Sequence, residues 1–278
     1  MLGVNQTLIT VAPTGAETAK SDAPRLPVTL EELVAEAKAC EAAGAALIHV
    51  HIRDAQARPS LDPVALAETV AALREQTSLV VQLSTGGSVH DPLERRLAVL
   101  DAAPDSCSLT CGSVNFGDDV FLNPFPFMLE LYRKAQAEQV VPEFELFDLG
   151  QVAAVRRLID TCGLPFGEKV HCDFVLGVPG GMPGTPQALL AGVAALPPEV
   201  TSWSATGIGR SHLPVLAAAL SLGGHLRVGM EDTLTYARGR AVTGNAELVE
   251  RAGRIATELA RPPMSTASAR ELLGIRTT

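Results

Sequence analysis

Ala45-Ala46-Leu47-Ile48-His49-Val50-His51-Ile52-Arg53-Asp54 begins as an apolar run and ends on charge. In an extended strand, residues i and i+2 point to one side. His49 and His51 therefore face one way, and Ile48, Val50 and Ile52 face the other. The stretch ahead of it, 29–43, reads as a helix. Thr29-Leu30-Glu31-Glu32 has the T-x-x-E form of a capping box, and Gly44 stands where a left-handed cap belongs. A capped helix, a tight turn and a strand with one apolar and one polar face are the local unit. Two imidazoles at i and i+2 on one strand supply two corners of a metal site, since neutral imidazole is a common ligand for zinc and related ions.

Working outward, the same alternation runs the length of the chain. Strands are predicted at 8–12, 46–52, 79–84, 106–111, 140–147, 169–177, 202–206 and 225–231. Helices are predicted at 29–43, 62–76, 91–102, 124–139, 150–161, 185–196, 210–222 and 245–260, with Asp62-Pro63 and Asp91-Pro92 placing proline at the first helical position. Eight βα units in 278 residues match the count and length of a (β/α)8 TIM barrel, an α/β fold. A doubly wound sheet is the competitor, but the first strand is not followed by G-x-G-x-x-G. No Pro/Ser-rich linker divides the chain, so residues 1–278 are expected to form one barrel domain.

Composition narrows the partners. With 47% hydrophobic residues the chain is expected to fold throughout. A net charge of −9 argues against nucleic acid or an anionic membrane as partner. Five scattered cysteines suit a reducing cytoplasm better than a disulfide framework, and Cys107 and Cys111 read as buried structural thiols. The N-terminal residues Met1 to Thr7 show no basic region ahead of an apolar stretch, and no apolar run is long enough to span a bilayer.

Strand parity locates the chemistry. His225, Arg227, Gly229 and Glu231 share a face of the eighth strand. Glu143 and Glu145 share one on the fifth, His171 and Asp173 on the sixth, Ser106, Ser108 and Thr110 on the fourth, and Gln82 and Ser84 on the third. The outer face of a barrel packs on helices and must be apolar, so these groups point inward. Buried charge is costly without a partner; repeated inward charge therefore implies a functional cavity. Structural hydrogen bonds sealing the barrel floor are the alternative, and they account best for His225. His49, His51 and Glu231 have the composition of a catalytic divalent-metal site, zinc first, with Fe(II), Mn(II) or Co(II) also admissible. Asp232 follows directly as base or supporting partner. Arg227 lies four residues before Glu231, roughly 13 Å along an extended strand, so parity alone does not join it to Asp232. His90 and His212 read as surface or loop histidines.

Three strand-to-helix loops have anion-binding chemistry: Ser84-Thr85-Gly86-Gly87-Ser88, the longer 177–185 loop with Gly180 and Gly181, and Thr206-Gly207-Ile208-Gly209-Arg210. Together they favour a phosphorylated ligand.

His49-Val-His-Ile-Arg-Asp54, Ser84-Thr-Gly-Gly87, Asn115-Phe-Gly-Asp-Asp119, Phe174-Val-Leu-Gly-Val-Pro-Gly-Gly-Met182, Gly207-Ile-Gly-Arg210 and Gly224-His-Leu-Arg-Val-Gly-Met-Glu-Asp232 occur in an order that resembles the β-keto acid cleavage enzymes. The resemblance covers about 10–273. It implies a zinc-containing (β/α)8 barrel, associating as a homotetramer, that converts a β-keto acid and acetyl-CoA into acetoacetate and a new acyl-CoA. By motif match it implies His49, His51 and Glu231 as zinc ligands and Ser84, Ser108, Arg227 and Asp232 in the reaction centre. Glu17, in Thr14-Gly15-Ala16-Glu17, and Glu145 match positions that contact the variable end of the substrate, where two carboxylates are compatible with a cationic group. Thr85, Gly86 and Gly87 are expected to bind the substrate, and Gly180, Gly181, Gly207, Gly209 and Arg210 the CoA. A metal-dependent aldolase or hydrolase on the same scaffold, or a non-catalytic metabolite-binding barrel, would share the two histidines and the carboxylate.

Overall fold

The computed structural model describes residues 5–276; of the N-terminal stretch read for a leader, residues 1–4 lie outside it. Eight parallel strands close into a barrel: β1 (Ile9–Val11), β2 (Leu47–Val50), β3 (Val80–Leu83), β4 (Ser106–Thr110), β5 (Val141–Leu146), β6 (Val170–Leu176), β7 (Val200–Gly207) and β8 (His225–Val228). Each pairs with its neighbours in sequence, and β1 closes the ring on β8 with Thr10 opposite Arg227. The helices between them are α1 (Leu30–Ala42), α2 (Pro63–Gln76), α3 (Leu93–Ala98), α4 (Phe125–Glu138), α5 (Leu149–Cys162), α6 (Pro186–Ala195) and α7 (His212–Ser221), followed by α8 (Asn245–Glu258) and α9 (Thr266–Leu273).

The predicted punctuation is in place. Thr29 Oγ1 accepts from Glu32 N while Glu32 reaches back to the Thr29 N–H, completing the capping box, and Gly44 follows α1 with φ +107°. Asp62 caps α2 with Pro63 at its first position. α3 starts at Leu93 rather than within Asp91-Pro92: Pro92, in extended conformation, takes the N-cap position instead of the first helical one, and the last turn tightens to a 3₁₀ helix over Val99–Ala102. Ile9, Val11, Ile48, Val50, Val81, Leu83, Leu109, Phe144, Phe174 and Leu226 turn outward into the apolar layer between barrel and helices. Cys107 and Cys111 are buried there, and burial pushes both thiols up.

Four elements escaped the sequence reading. Two-stranded hairpins stand in the loops after β2 (Ile52–Arg53 with Pro59–Ser60), β4 (Val114–Phe116 with Asp119–Phe121) and β8 (Thr235–Ala237 with Arg240–Ala241). The fourth, α9, lies across the N-terminal end of the barrel. Its Ala269 and Leu273, with Met264 and Ile275, pack on Leu8, Leu47, Val80 and Val141, the lowest inward-facing side chains. Asp105 pins it there, accepting from Val81 N at 2.9 Å, Arg74 Nη2 at 3.0 Å and Arg270 Nη2 at 3.1 Å. The floor is closed and the opposite end open, so any ligand enters over the C-terminal ends of the strands.

Candidate active site

The inward polar residues form two tiers. Low in the barrel, His225 Nδ1 accepts from Leu8 N at 3.0 Å, the sealing role expected of it. His171 Nδ1 lies 2.7 Å from Ser202 Oγ, and Asp173 accepts from Ser204 Oγ at 2.7 Å and Thr206 Oγ1 at 2.6 Å. Above this tier opens a cavity of about 210 Å³, lined at its base by His49, His51, Glu145, Arg227, Glu231 and Asp232.

β8 ends at Val228, three residues earlier than predicted, and this early stop builds the site. Gly229 lies so close to β1 that a Cβ there would sit 1.9 Å from the Ala12 carbonyl oxygen. The chain then turns, with the Asp232 and Thr233 N–H groups both donating to Gly229 O at 3.1 Å. The turn folds Glu231 and Asp232 back over Arg227. Instead of lying a strand's length apart, Arg227 donates to Asp232 through Nη2 at 3.0 Å and Nε at 3.3 Å, to Glu145 through Nη1 at 3.2 Å, and to Glu231 through Nη2. Burial drives the Asp232 carboxyl up to about 7 against the pull of Arg227, with Glu231 adding to the rise. A carboxylate titrating near neutrality is suited to proton transfer.

His49, His51 and Glu231 each bring a ligand atom to within 4.8 Å of the others. The His51 and His49 Nε2 atoms stand 3.6 and 3.9 Å from Glu231 Oε1. His49 Nδ1 is 2.5 Å from Gln82 Oε1, which fixes that nitrogen as donor and leaves Nε2 a lone pair toward the cavity. Burial, with Arg227 adding to it, pushes the His49 imidazole down to about 3, so the ring is neutral. Burial disfavours the Glu231 carboxylate, but Arg227 and the two imidazoles outweigh it and hold the group at about 2. Its Oε2 is buried without a hydrogen-bond partner. Two neutral imidazoles and an ionised carboxylate with an orphaned oxygen fit a divalent metal. Gly15 makes room for them: with φ +64°, it lies where a Cβ would come 2.6 Å from Glu231 Cγ.

The other expected site residues divide. Ser84, Gly86, Gly87 and Glu17 line the cavity with the base residues already named. Ser108 and Thr85 are buried against each other just below: Thr85 N donates to Ser108 Oγ at 3.3 Å and Thr85 Oγ1 to Ser108 O at 2.7 Å, so together they hold the turn that presents Ser84. Glu145, expected at the substrate's variable end, has both oxygens engaged, Oε1 by Arg227 and Oε2 by Thr110 Oγ1 at 2.9 Å. Of the four carboxylates lining the cavity, Glu17, exposed at the rim, alone makes no protein hydrogen bond among the described residues.

The glycine loops differ most from the anion-cradle reading. Gly181 N donates to Val178 O, Ile208 N to Leu176 O and Gly209 N to Asp232 O, so these amides are consumed within the protein. The loops are glycine-rich because they pack closely. A Cβ on Gly180 would lie 2.1 Å from Asn115 O, one on Gly181 2.9 Å from Phe147 O, and one on Gly207 2.6 Å from Ser211 O. What they present to the cavity is Val178, Pro179 and Ile208, which join Phe116, Phe121, Phe147 and Val175 in an apolar wall. Arg210 stays exposed, without an ion pair among the described residues. His212 is not a surface residue but opens α7 at 2% exposure; His90 is exposed as expected. Phe116 and Phe121 could have been found, because Gly117-Asp118 is a two-residue hairpin turn between apolar positions.

A family model described as beta-keto acid cleavage enzyme matches residues 6–275. The chain belongs to that family. As a beta-keto acid cleavage enzyme it acts on a carbon–carbon bond of its substrate. It is 36% identical over 270 residues to the 3-keto-5-aminohexanoate cleavage enzyme of Acetoanaerobium sticklandii, covering 96% of this chain and 98% of that one. It is 34% identical over 275 residues to the 3-oxoadipate:acetyl-CoA acetyltransferase of Cupriavidus necator, covering 96% and 94%. The 3-dehydrocarnitine:acetyl-CoA trimethylamine transferase of Rhizobium meliloti is 32% identical, with 89% of both chains covered. Among solved structures, the ternary complex of ObcA with a C4-CoA adduct and oxalate superposes with a TM-score of 0.78 at 21% identity, over 91% of this beta-keto acid cleavage enzyme and 68% of ObcA; it shares the fold.

Proposed function

We propose that this enzyme, acting as one domain over residues 1–278, condenses a β-keto acid with acetyl-CoA to release acetoacetate and a new acyl-CoA, with zinc held by His49, His51 and Glu231. The observation that carries the proposal is the meeting of two chemistries in one cavity. A two-histidine, one-carboxylate set and a carboxylate base oriented by a guanidinium share the same base of the same pocket. Curated relatives named as acetyl-CoA transferases of keto acids support the second substrate.

A zinc ion held by His49, His51 and Glu231 would supply Lewis-acid polarisation of a keto oxygen, which would make the adjacent C2 protons more acidic. Asp232, aligned through both oxygens by Arg227, takes a proton from C2 of the β-keto acid, the methylene between its keto and carboxylate groups. The C2 carbanion attacks the thioester carbonyl of acetyl-CoA and expels the CoA thiolate. The thiolate adds to the keto carbon, and retro-Claisen cleavage of the C2–C3 bond releases the new acyl-CoA and leaves acetoacetate, whose carbanion takes the proton back from Asp232. Arg227 spreads one positive charge over three carboxylates, which keeps Asp232 in place as its charge changes. Ser84, with Gly86 and Gly87 beside it, is positioned to hydrogen-bond the substrate carboxylate or a developing oxyanion. Ser108 and Thr85 act beneath, through Ser84. Glu17 faces the variable end of the substrate, where its carboxylate favours a cationic tail. Arg210, exposed after β7, and the loops of Gly180, Gly181, Gly207 and Gly209 border the path for CoA. Free cysteines support a cytoplasmic setting, no helix among the described residues is long and apolar enough to cross a membrane, and a homotetramer is the expected assembly.

The test is turnover of cationic, neutral and anionic β-keto acids with acetyl-CoA, following acetoacetate in metal-loaded and chelated protein. Acetoacetate is expected only with both metal and acetyl-CoA. Turnover without acetyl-CoA would point instead to an aldolase or hydrolase.

A further inference from the structure

We propose that Arg53 is a positioning residue for this reaction. Its guanidinium fixes the loop after β1 that carries Glu17 and backs Glu231, and so sets how tightly the β-keto acid is held. The inference rests on the function proposed above, but its structural half stands separately.

Arg53 sits two residues past His51, in the hairpin strand opposite Pro59. Nε and Nη2 donate to Gly15 O at 3.1 and 2.5 Å, Nη2 also to Thr18 O at 3.0 Å, and Nη1 to Ala57 O at 3.1 Å. A partly buried guanidinium ordinarily meets a carboxylate. Arg53 forms no ion pair among the described residues, and all three of its nitrogens go to backbone carbonyls of two loops. Residues 15–18 gain from this alone: among the described residues, their backbone makes its hydrogen bonds only to Arg53.

The clamp is aimed at the reaction centre. Thr14, Gly15, Ala16, Glu17 and Thr18 all line the cavity. Gly15, held by its carbonyl, presses its Cα side against Glu231, where even a methyl group would not fit. One guanidinium therefore fixes both a wall of the substrate cavity and the packing behind a proposed metal ligand. A loop of four residues with no other backbone anchor moves freely once released, and the cavity then loses a wall without losing its chemistry.

The experiment compares wild type, Arg53→Ala and Arg53→Lys as full-length, metal-loaded enzyme. It measures kcat and KM separately, hydrogen exchange over 14–20, and zinc affinity by chelator competition. For Arg53→Ala we expect KM for the β-keto acid to rise at least tenfold, with kcat and zinc affinity within threefold. Exchange over 14–20 should quicken at least tenfold. Guanidinium ion at non-denaturing concentration should restore both, and Arg53→Lys should fall between. Unchanged exchange or unchanged KM overturns the proposal, as does loss of zinc with KM intact. If Arg53→Ala does not fold, Arg53→Lys carries the same measurements. A silent wild type sinks the proposed function, while the exchange data still judge the clamp.

Discussion

Arg227 and Asp232 are five residues apart and joined by two hydrogen bonds, Nη2 to Oδ1 at 3.0 Å and Nε to Oδ2 at 3.3 Å. A fork-to-fork pair fixes orientation as well as charge. Lysine would keep the charge but could not hold Asp232 side-on while also reaching Glu145. Arg227→Lys is expected to lower kcat on the order of 100-fold, as loss of one charge-assisted contact in the transition state does, while metal content measured by mass spectrometry stays near wild type.

Glu231→Gln removes the charge from the carboxylate shared by His49, His51 and Arg227. Zinc affinity and turnover should fall together. Retention of both would falsify the assignment of Glu231 as a ligand.

Gly15→Ala tests the same carboxylate from outside. It combines a left-handed φ of +64° with a contact of 2.6 Å to Glu231 Cγ. We expect about 1–3 kcal/mol of destabilisation from strain and overpacking and weaker zinc binding, read by chemical denaturation with and without metal.

The floor predicts an acid limb in stability. His225 Nδ1 must be unprotonated to accept from Leu8 N, and burial, with Arg261 adding to it, holds the ring at about 3 against 6.5 when unfolded. Between those values the unfolded chain binds the extra proton. The contribution of His225 is therefore full above pH 6.5 and is lost as pH falls toward 3, by about 1.4 kcal/mol per pH unit. His225→Asn keeps an acceptor and does not titrate. Its denaturation midpoint should be lower at pH 8 yet fall less steeply from pH 6.5 to 4.5 than that of wild type.

Glu17 and Glu145 separate by their partners. Glu17→Gln should raise KM several-fold for a cationic β-keto acid and leave a neutral one unchanged. Glu145→Gln, which frees Arg227 Nη1 and breaks a buried pair, should depress kcat for every substrate alike.

The barrel was legible because each strand carries two faces of opposite character. Parity alone put His49, Glu145, Asp173 and Arg227 inside, and the structure agrees. Parity failed beyond Val228, since a turn has no alternation to read. The joining of Arg227 to Asp232 depended on the close approach of Gly229 to Ala12, a contact over more than two hundred residues. The glycine loops misled for a related reason. Glycine marks a close approach but does not say to what, and here the neighbours are Asn115 and Phe147 rather than a ligand. α9 carried its signals, Ser265 as cap and Gly274 with φ +71°, but a ninth helix has no place in an eightfold count. The hairpins are too short for periodicity and are visible only through turn residues such as Gly117.

β1 pairs on one side with Leu47 and Ile48 and on the other with Leu226, Arg227 and Val228, and α9 covers the lowest inward side chains only after that ring has closed. During synthesis the first strand must wait, one edge bare, until more than two hundred further residues have left the ribosome. Most of the ring is held by local pairings that form early, whereas its seam and its plug are long-range and late. That interval is when the chain is most open to chaperones and to mispairing with other nascent chains.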